Sequence, residues 1–118
     1  MSKHPQSLFG SRLRAARIRA GLAQDRLGVL IGLDEGCSSA RISRYETGIH
    51  APPFEIAQSL ATILNVPVAY FYCPQETLAE VLIELYGLAE EELQFVLDEI
   101  RGIREQQNTS VTPNPSVP

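Results

Sequence analysis

The sequence predicts an all-α protein: a bundle of five short helices, then a helical hairpin and a tail. Apolar residues recur at intervals of three and four along most of the chain, and glycine or proline punctuates each such run. No run in the first 72 residues is long enough to be stable alone, so the helices must pack on one another.

Leu8 to Ala20 sets Leu8, Phe9, Leu13, Ala16 and Ile18 at mostly helical spacing with arginines between them, and Gly21 stops the run. Ala23 to Ile31 repeats the pattern with Leu27, Leu30 and Ile31 inward, and Gly32 ends it in a left-handed conformation. Residues 34–39, Asp-Glu-Gly-Cys-Ser-Ser, have the composition of a loop whose serines cap the next helix. Ala40 to Thr47 forms that third helix, with Ile42 and Tyr45 on one side, Arg41 and Arg44 on the other, and Gly48 closing it. Pro52-Pro53 opens a fourth, Phe54 to Leu64, and Val66 to Tyr72 supplies a short fifth.

Cys73-Pro74 marks a boundary. Beyond it, Leu78, Val81, Leu82 and Leu85 form one apolar stripe and Leu93, Val96, Leu97, Ile100 and Ile103 another, with Gly87 at the joint. Residues 74–107 are therefore expected to be a helical hairpin with acids outward, apt for dimerisation. Residues 108–118, rich in Pro, Ser, Thr and Asn, are expected to be a disordered tail.

With 118 residues, 44% of them hydrophobic, the chain can build one ordinary domain and a small appendage. No apolar run approaches the ~18 residues that span a bilayer, and no secretory signal opens the chain, so a cytoplasmic location without membrane is expected. Cys37 and Cys73 lack metal-ligand spacing and are expected to be free thiols. The net charge of −4 conceals an asymmetry: residues 1–53 carry eight basic side chains against four acidic ones, and residues 54–118 carry two against ten. A basic half facing a polyanion and an acidic half facing something else would explain it. No glycine-rich phosphate loop, HExxH or serine elbow is present, so no catalytic residue, metal or cofactor is expected. His4 and His50 are isolated.

Two helices joined by a turn, the second bearing arginines on its open face, form a device for entering a DNA major groove. The run from Leu13 to Leu27, LRAARIRAGLAQDRL, resembles the opening of the Cro/cI-like (Xre-type, lambda-repressor-like) helix-turn-helix family. So do Ile42-Ser43-Arg44-Tyr45-Glu46-Thr47-Gly48, Pro52, and the run from Leu60 to Pro67. The resemblance covers residues 8–72 and implies a five-helix DNA-binding bundle acting as a bacterial or phage transcriptional regulator, a repressor for instance, with residues 39–47 as recognition helix.

Residue by residue, the resemblance implies base contacts from Ser39, Ala40, Arg41 and Arg44. Arg44 suits a bidentate grip on guanine, with a phosphate contact as its alternative. Phosphate contacts are implied for Gln24, Ser38, Ser43, Thr47 and Gly48; Gln24 stands where a helix N-terminus attracts an anion. Arg17 and Glu46 match the family's buried ion pair, and Arg12, Arg14 and Arg19 are expected to supply a general attractive field. Three positions depart from the family: a longer turn over residues 33–38, Gly28 where Ala is usual at the helix crossing, and Ala23 in place of a Ser or Thr cap.

Two copies reading an inverted repeat, about 34 Å apart, would supply the affinity that one recognition helix lacks, so a homodimer on double-stranded DNA is expected. The alternative is a protein-interaction module, antitoxin-like or adaptor, with the bundle or the acidic hairpin docking a partner. Salt separates the two, since phosphate-driven binding weakens log-linearly with salt and an apolar interface barely responds.

Overall fold

In the computed structural model, which describes residues 7–110, every regular element is helical. The order is α1 (Leu8–Arg19), α2 (Gln24–Leu30), α3 (Glu35–Thr47), α4 (Phe54–Leu64), a 3-10 turn (Val68–Tyr72), α5 (Glu76–Leu85) and α6 (Glu90–Ser110). The chain divides into two units, the first ending at Tyr86 and the second beginning at Gly87.

The first unit is built on a core of Leu13, Leu27, Ile42, Leu60, Tyr70 and Phe71, each at most 2% exposed. Ser7 caps α1, its hydroxyl accepting from the Gly10 amide at 2.9 Å. Ala23 starts α2 without a side-chain cap, leaving the first amides of that helix to other partners. Phe9 leans on Phe71 with ring centroids 4.8 Å apart, which ties the start of α1 to the 3-10 turn that forms the short fifth helix.

Four expectations are corrected. The loop expected over residues 34–39 is the first turn and a half of α3, which begins at Glu35. Gly and Ser are weak helix formers, but tertiary packing overrides propensity here: Ser38 is fully buried and its hydroxyl donates to the Asp25 carbonyl at 2.9 Å. Second, Arg12 is no part of an outward field. It is 5% exposed, and its Nε and Nη2 both donate to the Cys73 carbonyl, at 3.1 and 2.8 Å, while Nη1 reaches Glu76 at 2.9 Å. Its guanidinium also lies 5.7 Å from the centroid of the Tyr70 ring.

Third, the domain boundary falls after Tyr86 rather than at Cys73-Pro74. The first helix of the expected hairpin, α5, belongs to the bundle because Ala79 is small enough to be buried there, with Leu82 and Ile83 packed on the core. The grip of Arg12 on Cys73 and Glu76, and an exposed Arg19–Glu80 pair at 3.3 Å, hold its start. Leu78 and Val81, the other members of the expected apolar stripe on this helix with Leu85, are 46% and 40% exposed. Fourth, Asn108 to Ser110, expected to open a disordered tail, belong to α6; the rest of that expectation falls on residues 111–118, outside those described.

Arg12→Met keeps the apolar stem and removes the donors. It should cost about 1–3 kcal/mol, the desolvation of a buried carbonyl left unpaired, measured by urea unfolding. A second prediction concerns alkaline pH. Burial, above all, raises the pKa of Tyr70 above its ordinary 10.0, against the opposing pull of Arg19 and Arg12. A raised pKa in the folded state gives stability that is present below the unfolded value and lost as pH rises through the folded one. Tyr70→Phe should therefore flatten the alkaline fall in melting temperature.

Candidate nucleic-acid interface

Helices α2 and α3 meet across a short turn closed by Gly32, which adopts a left-handed φ of 96° that other residues avoid. The crossing is tight at Gly28. A Cβ there would come within 2.4 Å of Ser38 Cβ and 2.9 Å of Ser38 Cα, which explains glycine at this position. The two helices are thereby fixed as a rigid pair.

Helical periodicity then divides α3 into two faces. Ser38, Ile42, Tyr45 and Glu46 are buried. Gly36, Cys37, Ala40, Arg41 and Arg44 are exposed on the other side. Of the residues expected to contact bases, Ser39, Ala40, Arg41 and Arg44 are thus all accessible. Gly36 and Cys37 join the same surface, which the sequence reading missed by taking them as loop. The helical spacing of Ser38 from Ile42, Tyr45 and Glu46 fits this, but the turn-type composition of residues 34–39 masks it.

The orientation of α3 is held by a polar network. Arg17 grips the Glu46 carboxylate with Nε at 2.5 Å and Nη2 at 3.2 Å, and its Nη1 donates to the Leu22 carbonyl at 2.9 Å. The Glu46 side chain is 3% exposed and that of Arg17 13%. Gln24 Nε2 donates to Glu46 Oε1 at 3.1 Å, and Ser39 Oγ donates to Gln24 Oε1 at 3.4 Å. One chain of hydrogen bonds thus links α1, the start of α2 and, through Ser39 and Glu46, two points along α3. Close approach of α1 depends on Gly10, where a Cβ would lie 2.2 Å from the Glu46 carbonyl oxygen.

The residues expected to meet phosphate are treated unequally. Ser38 is withdrawn from the surface: its side chain is buried and its hydroxyl is spent on Asp25, so the phosphate role expected of it is corrected to a packing role. Gln24 and Ser43 are half-buried, and a carboxamide nitrogen carries a second N–H besides the one given to Glu46. Thr47 donates its hydroxyl back to the Ser43 carbonyl at 2.9 Å. Gly48 closes α3 in the left-handed region, with φ 81°. Arg41 is exposed, and a side-chain hydrogen bond with Tyr45 one turn on raises its pKa still further above the ordinary arginine value. Arg44 is also exposed, and it lies one turn of helix from Ala40.

No described helix is long and apolar enough to cross a membrane. Comparison with known proteins agrees with the geometry. A family model described as a helix-turn-helix domain matches residues 8–70. Two curated relatives, HTH-type transcriptional regulators of Sinorhizobium medicae (strain WSM419) and Rhizobium meliloti (strain 1021), are each 35% identical over 63 residues. The match spans 53% of this chain and only 42% of each relative's length. The structure is similar to the crystal structure of the transcriptional regulator BswR, with a TM-score of 0.73 and 43% identity, covering 79% of this chain and 92% of that one. A tight α2–α3 crossing, an outward polar face on α3 and a family model that matches more than half of the chain lead to one conclusion: this chain belongs to the helix-turn-helix domain family.

Proposed function

We propose that this chain is a bacterial or phage transcriptional regulator that binds double-stranded DNA by inserting the outward face of α3 into the major groove. The observation that carries the proposal is the division of α3, with Arg44 exposed on one face while the opposite face is locked through Glu46 to Arg17 and Gln24. A rigid helix holding an exposed guanidinium is suited to direct readout, because such a group can donate to guanine O6 and N7 together.

In this reading Arg44 is the chief base contact, Ala40 offers a methyl to thymine, and Ser39 and Arg41 contribute at the edges. Gln24, Ser43, Thr47 and the Gly48 backbone lie against phosphate. Because α3 starts five residues earlier than the sequence indicated, Gly36 and Cys37 also enter the groove, and Gly36, with open space around its Cα, admits close approach. Two copies bind an inverted repeat, since one short helix reads few base pairs.

The test is binding to a duplex enriched from a random library, followed by fluorescence anisotropy over a salt series. The expected result is a linear fall of log affinity with log salt, at about −0.9 for each phosphate neutralised. A slope near zero, or enrichment of no duplex, would leave the fold to serve protein docking instead.

A further inference from the structure

The second unit contains one described helix, α6, and none of its described side chains is buried. Its 21 residues extend about 31 Å at 1.5 Å per residue. An isolated helix of this length is marginal in water, because helical stability in proteins comes mostly from packing an apolar face. Yet Leu93, Leu97, Ile100 and Ile103 stand 36%, 40%, 43% and 59% exposed, with Val96 half-buried between them. Something must cover this stripe.

We infer that a second copy of the chain covers it, the two α6 helices running antiparallel about a two-fold axis. Residues 93, 96, 100 and 103 follow the three-four-three spacing of a coiled-coil seam. Charge decides the direction. The first turn of α6 holds Glu90, Glu91 and Glu92, whereas its two arginines, Arg101 and Arg104, lie in the second half. A parallel copy would stack six glutamates at one end. An antiparallel copy sets Leu93 across from the partner's Ile103 and Val96 across from the partner's Ile100. On the flank of that seam Leu97 meets the partner's Leu97, and Glu90 faces the partner's Arg104, an arrangement made twice by symmetry. The opposed helix dipoles favour the same direction.

A polyanionic surface does not fit as the occupant. Six carboxylates against two arginines give α6 a charge of −4, which anionic lipid and DNA both repel. The inference rests on the two-copy reading above, and it is measured without DNA, so that either can fail alone.

The experiment is sedimentation equilibrium of the full chain across the micromolar range at low salt. The wild type should form a reversible dimer, and Ile100→Asp should raise its dissociation constant at least about tenfold by putting a charge in the seam. Arg104→Glu should weaken association about fivefold through two symmetric contacts, and adding Glu90→Arg should restore it to within about twofold. A wild-type monomer throughout, or a dimer indifferent to Ile100→Asp, would overturn the inference. Rescue of Arg104→Glu by Glu99→Arg in place of Glu90→Arg would overturn the antiparallel arrangement, since that pair faces only in a parallel seam.

Discussion

Replacing Glu46 by alanine should destabilise the first unit by about 3–5 kcal/mol, the usual cost of removing one partner from a buried ion pair. The carboxylate is 3% exposed and receives both Arg17 and Gln24. Without it, the Arg17 guanidinium keeps only the Leu22 carbonyl and remains largely withdrawn from water. The expectation for the pair is different. Arg17→Met combined with Glu46→Leu removes both charges and should recover most of the loss, because two apolar side chains of similar volume can replace a buried pair nearly neutrally. Urea unfolding with an unchanged slope measures both. A loss below about 1 kcal/mol for Glu46→Ala would mean that the pair behaves as a solvated surface contact. DNA binding should suffer in the double variant even where stability returns, since Gln24 and Ser39 lose the anchor that orients them.

Gly10→Ala should also destabilise, by about 1–3 kcal/mol, although alanine is the better helix former by roughly 1 kcal/mol. The reason is steric. The added methyl would lie 2.2 Å from the Glu46 carbonyl oxygen, 2.7 Å from the Glu46 carbonyl carbon and 2.9 Å from the Tyr45 carbonyl oxygen, all backbone atoms that cannot swing aside. Helix α1 would have to retreat from the end of α3, loosening the Arg17–Glu46 contact as it does so. Gly102→Ala, at a helical position with nothing within 4 Å, provides the contrast and should stabilise its helix by up to about 1 kcal/mol. Thermal unfolding of the two variants beside the wild type should move in opposite directions.

The helices of the bundle were legible because their stop signals are local: Gly21, Gly32 and Gly48 all adopt positive φ, as helix-ending glycines do. The early start of α3 was not legible. Asp34 to Ser39 carries turn residues, and what makes that stretch helical is Ser38 seated against Gly28, a contact between positions ten residues apart. Arg12 was misread for the same reason. An arginine in an arginine-rich helix resembles its neighbours, and its carbonyl partner at Cys73 lies 61 residues away. The face carrying Arg44 could be read from periodicity alone, since Ile42 and Tyr45 fix which side of the helix turns inward. Ser38 could not, because a residue's side of the helix is undefined until the helix is known to include it.

In the proposed function the exposed face of α3 reads base edges, and Arg44 reads one of them. Selection from a random duplex library, performed in parallel with the wild type and with Arg44→Ala, tests it most directly. The predicted outcome is an inverted-repeat consensus for the wild type, and for Arg44→Ala the same consensus with its preference relaxed at one symmetric guanine, a loss of about 1–3 kcal/mol of discrimination there. An unchanged consensus, or an affinity lowered equally for every sequence, would contradict it and reduce Arg44 to a phosphate contact.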